Sequence, residues 1–86
     1  MNATTLVIDN VLHCAGLFRL GRDIEAALLM VDLVDATVSV FSARISEDQA
    51  QLARIMSEIL AAQQEQDWLG VADALQYELI PLVESV

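Results

Sequence analysis

Histidine and cysteine stand side by side at His13-Cys14, and each occurs once in the chain. Such a pair suggests a metal or a redox step. Successive helical residues do not share a face, so the two cannot readily hold one ion. A zinc site needs further ligands of the same kind, and there is no second histidine or cysteine. No metal and no cofactor is expected. The plainer reading is a core cysteine beside a surface histidine, with Asp9 one turn earlier as the histidine's partner. A carboxylate-bridged metal bundle needs Glu-x-x-His on two helices, and Asn10 stands three residues before His13. Ser39, Ser42, Ser46, Ser57 and Ser85 have only His13 as a possible base, and none lies in a glycine-flanked elbow. No glycine-rich loop is present to cradle a phosphate. The acids fall where caps and solvated helix faces place them. An enzyme is not expected.

What remains is surface and packing. Eighty-six residues make one domain. The chain is 56% hydrophobic, above the roughly 45–50% of soluble domains, and the surplus is aliphatic. In a small domain some of that material stays exposed, and an exposed apolar patch marks a partner surface. Thirteen acids against four arginines, with no lysine, give a net charge of −9. That field repels phosphate backbones and anionic membranes, so no nucleic acid is expected. It suits solubility or a basic partner. The single cysteine suits a reducing compartment, here the cytoplasm. The start lacks a basic region and Asp9 interrupts the first apolar stretch, so no signal peptide is expected. No charge-free window is long enough for membrane insertion.

The periodicity predicts an all-α fold, a small antiparallel bundle of about four helices over residues 5–20, 24–44, 47–65 and 68–84. In the first, Val7, Ile8, Val11, Leu12, Cys14, Ala15 and Phe18 form one stripe. Thr4 is its expected N-cap and Gly21 its stop. The second opens on Asp23 as N-cap. Ile24, Ala27, Val31, Val34, Val38, Phe41 and Ile45 give its core row, with Leu28, Leu33 and Val40 alongside. Its polar stripe is narrow, so it is either the central helix or an oligomer interface. The run Thr37 to Phe41 also alternates like a strand, but the helical spacing continues through it. The third helix opens on a Ser46…Gln49 capping box, followed by Leu52, Ile55, Met56, Ile59 and Leu60. Ser46 follows Ile45 at once, so helices two and three are tightly joined or one kinked helix. The fourth opens on Asp67 and carries Trp68, Ala72, Leu75, Leu79, Leu82 and Val86. Pro81 should kink or end it near Leu79 to Ile80.

Residues 67–82 carry the best signature. The stretch from Ala72 (Ala-Asp-Ala-Leu-Gln-Tyr-Glu-Leu-Ile-Pro) is similar to a closing-helix pattern of helical bacterial proteins. Its Asp-Trp opening after a polar run also resembles the flagellar export chaperones of FliT type, which are small, acidic and all-helical. The resemblance implies a bacterial cytoplasmic protein and transfers no binding residues. A lone histidine on a helical bundle is similar to histidine phosphotransfer domains, but Gly16 stands where their lysine belongs. The favoured expectation is a non-catalytic module that binds a partner helix, as a chaperone or adaptor does. The alternative is a homodimer through helix two, and a phosphotransfer role centred on His13 is remote. The candidate interface residues are Val31, Val34, Val38, Phe41, Trp68, Leu75 and Leu79.

Overall fold

The computed structural model describes residues 3–85, and Val86 lies outside them. Among the described residues there are four helical rods and no strand. They are α1 (Ala3–Arg19), α2 (Asp23–Phe41), α3 (Ser46–Gln64) and a closing rod. The closing rod has three parts: α4 (Trp68–Asp73), a π-helical turn (Ala74–Leu79) and α5 (Ile80–Glu84). The molecule measures 34 × 27 × 19 Å. A helix of 19 residues, the length of α2 and of α3, is about 28 Å long. The rods therefore lie side by side.

The closing rod packs against both α1 and α3, whereas α2 leans chiefly on α1. The core is aliphatic: Val7, Val11, Leu33, Ile59, Val71, Leu75, Leu79 and Val83 are all buried, with Phe18 and Phe41. Thr37 is the one buried polar residue among those described. Its hydroxyl donates to the Leu33 carbonyl at 2.7 Å, so a threonine sits in the core without an unmet hydrogen bond. Residues 37–41 are helical, and residues 42–45 separate α2 from α3 as two helices.

The packing phase of α2 differs from the expected row. Ala26, Met30, Leu33, Thr37 and Phe41 are buried. The expected residues Ile24 (75%), Val31 (62%), Val38 (54%) and Ile45 (67%) are exposed. As far as Thr37 the buried row lies one residue earlier in the chain, a rotation of about 100°, and the two rows meet at Phe41, which is buried as expected. A helix apolar over most of its circumference offers two rows of the same spacing. Packing on α1 selects the row that includes Thr37.

The helix ends also depart from expectation. Arg22 precedes α2 without a side-chain cap, and Asp23 is its first residue. Thr4 lies inside α1. Helix α3 begins at Ser46 with Ile45 before it, so the serine cannot cap. Gln49 does reach back, but its Nε2 donates to the Arg44 carbonyl at 2.9 Å. Gly21, at φ 75°, closes α1 as expected. The Arg22 amide donates to the Leu17 carbonyl at 3.0 Å and the Gly21 amide to the Phe18 carbonyl at 3.1 Å. Helix α3 ends in the same motif on Gln66, at φ 58°, where a side chain costs about 1 kcal/mol. Asp67 caps α4, accepting from the Gly70 amide at 3.0 Å. A Cβ on Gly70 would collide with that carboxylate.

Pro81 neither stops the closing rod nor leaves it untouched. The chain passes through a π turn, in which the Ile80 amide donates back to the Leu75 carbonyl, and α5 then runs on to Glu84. A wider turn ahead of a proline gives its ring room and absorbs the missing donor.

Candidate helix-binding groove

Helices α2 and α3 do not close on one another. Two open clefts lie between them. The first, about 460 Å³, has Val38, Phe41 and Ser42 on one wall and Gln49, Leu52, Ala53 and Met56 on the other. The second, about 410 Å³, is lined by Ala27, Met30, Val31, Val34 and Asp35, with Gln63 across from them. The start of α3 therefore faces the end of α2, and the end of α3 faces its middle. Both clefts lie along this antiparallel pair, and together they are called the groove here. One methionine lines each cleft, Met56 in the first and Met30 in the second. Methionine is unbranched and adapts to irregular apolar partners.

The candidate interface residues do not stay together. Val31, Val34 and Val38 line the groove. Phe41 is buried at the floor of the first cleft, and Leu75 and Leu79 are wholly buried in the core, so those two are used up within the chain. Trp68 is half-buried and stacks on Phe18, with ring centroids 5.7 Å apart and planes 18° apart. That contact fastens the start of α4 to the end of α1.

Two arginines tie the closing rod to its neighbours. Arg44, in the link between α2 and α3, donates from Nη1 to the Leu82 carbonyl at 2.8 Å and from Nη2 to the Val83 carbonyl at 2.6 Å. Its guanidinium lies 4.4 Å from the centre of the Phe41 ring and 3.9 Å from Asp48. It satisfies carbonyls at the end of α5, where a cation is favoured. Arg44 was not singled out from sequence. The available signal was that it is the one base in a short link, but nothing local shows which helix end it will meet. Arg19 similarly ties α1 to the closing rod through Asp73 at 3.1 Å and Gln76 at 3.0 Å.

The residues that suggested chemistry lie apart from the groove. Cys14 is buried, and its thiol donates to the Ala26 carbonyl at 3.5 Å. Burial pushes that thiol from an ordinary 9.0 up to about 11, which keeps it neutral and weakly nucleophilic. The linked stability is present below pH 9 and is lost as pH rises through about 11. His13 is exposed on α1, and no ion pair joins it to Asp9. Among the described residues no three of His, Cys, Asp or Glu come together as metal ligands, and no helix is long and apolar enough to cross a membrane.

A family model described as "Domain of unknown function (DUF8042)" matches residues 2–86. No curated protein matches the chain, and no solved structure matches it.

Proposed function

Because the chain belongs to the DUF8042 family, which is defined without a function, we propose a role from its surface: it is a non-catalytic module that holds an amphipathic partner helix in the α2–α3 groove. The observation that carries this reading is the pair of apolar clefts along α2 and α3. A groove between two helices offers a third helix i, i+3, i+4 and i+7 anchor points. Seating a helix there would cover Val31 and Val38, whose exposure the fold itself leaves uncompensated. The resemblance of residues 67–82 to FliT-type export chaperones is in keeping with this role. Residence in the cytoplasm of a bacterium belongs to the same proposal.

The test uses an amphipathic helical peptide with a leucine face and a fluorescent label. The full chain is expected to bind it, and Val38→Glu or Met56→Glu to abolish binding while helical circular dichroism stays unchanged. Equal binding by both variants would sink the groove as the site.

A second reading has its own support. Ile24, Leu28, Val31, Val38 and Ile45 are exposed and recur at coiled-coil spacing, as a seam for a second copy of α2 would. On this reading the protein is a homodimer, and light scattering would show a mass that resists dilution.

A further inference from the structure

We propose that the partner helix is basic on the flank that meets α2 and uncharged on the flank that meets α3, and that Asp35 turns away a second copy of this chain. The inference rests on the helix-binding reading and adds the partner's charge pattern. The two rims of the groove differ. On the α2 side, Asp35 lines the second cleft beside Val31 and Val34. Among the described residues no base meets its carboxylate. The four arginines are taken up by Asp73, Glu25, Asp48 and Glu58, and α2 contains no base of its own. On the α3 side, Ala50, Ala53, Ser57 and Ala61 are exposed and recur every three or four residues on one face. The acids of α3 are placed elsewhere: Glu58 pairs with Arg54, Asp48 faces Arg44, and Glu47 sits in the first turn.

One charged rim and one neutral rim favour a partner helix with cations along a single flank. They also disfavour a twin. Asp35 stands near the midpoint of the stripe from Ile24 to Ile45. Parallel pairing sets Asp35 against Asp35, and antiparallel pairing about that midpoint brings the two within a residue of each other. Like charges facing one another oppose association, and each copy brings a net charge of −9.

The test takes synthetic peptides about three heptads long with the same leucine face. One flank carries arginine, glutamine or glutamate, and a fourth peptide carries arginine on both flanks. Fluorescence anisotropy with the full chain is expected to rank the single-flank arginine peptide about tenfold above glutamine, with glutamate weakest. The doubly basic peptide should gain little more. Asp35→Asn should remove the arginine advantage and leave the glutamine peptide's affinity as it was. Equal binding by all peptides would overturn the charge pattern and leave the helix-binding reading standing. No binding by any peptide would remove both. In light scattering, the unaltered chain should be monomeric and Asp35→Leu should dimerise. A native dimer that Val38→Glu dissociates would overturn the proposal in favour of a second copy, and a monomeric Asp35→Leu would take the excluding role from Asp35.

Discussion

Between α1 and the closing rod, Phe18 stacks on Trp68, and Val11, Val71, Leu75 and Leu79 are buried without remaining accessible surface. Between α2 and α3, residues of the same kind leave two clefts open. Hydrophobicity does not separate these regions, since α2 is the more apolar helix. Coverage does. The closing rod has neighbours on two sides, while α2 leans chiefly on α1. An apolar side chain stabilises the fold by about 25 cal/mol for each Å² removed from water, so Leu75 contributes to folding and Val38 contributes far less. The polar contacts follow the same division. Arg19 and Arg44 bind the closed side together, whereas Asp35 on the open side faces no base among the described residues.

Substitutions on each side test this contrast. The largest effect is expected for Leu75→Ala, which empties a fully buried site and should cost about 3 kcal/mol in urea unfolding. A loss below about 1 kcal/mol would mean that the core is looser than its burial implies. Next is Arg44→Met, which keeps an aliphatic stem over Phe41 and deletes both hydrogen bonds to the end of α5. It should cost about 2 kcal/mol, with amide exchange of the last turn rising first. Exchange confined to other segments would show that Arg44 does not hold that end. The smallest effect is expected for Val38→Ser, within about 0.5 kcal/mol of the native chain. The same variant should bind an apolar fluorescent dye more weakly. A stability loss comparable to Leu75→Ala would place Val38 in the core and remove the distinction between the two sides.

Much of the fold was legible beforehand. The stripe in α1 (apart from Leu12, which is exposed), the stop at Gly21 and the Asp67 cap depend on residues within a few positions of one another. Local chemistry decides such features, so reading along the chain finds them. The phase of α2 was not legible in this way. Two rows one residue apart satisfy the same spacing, and only contact with α1 distinguishes Ala26, Met30 and Leu33 from Ala27, Val31 and Val34. For the same reason Phe41, Leu75 and Leu79 were grouped with the groove valines, although α1, α3 and the closing rod bury them.

The sequence by itself determined that the chain is helical, that its one histidine and one cysteine leave little from which to build a reactive centre, and that its apolar surplus is concentrated in residues 24–45. Periodicity, residue type and count carry that information, and none of them requires a neighbour. Only the tertiary structure decided where the surplus goes. It rotates α2 so that its valines face a groove, brings Arg44 to a helix end 38 residues away, and leaves Asp35 on the rim. These outcomes depend on how rods of nearly uniform hydrophobicity settle against one another. Packing geometry, and not the chemistry of any single helix, selects among faces that are almost equivalent in composition.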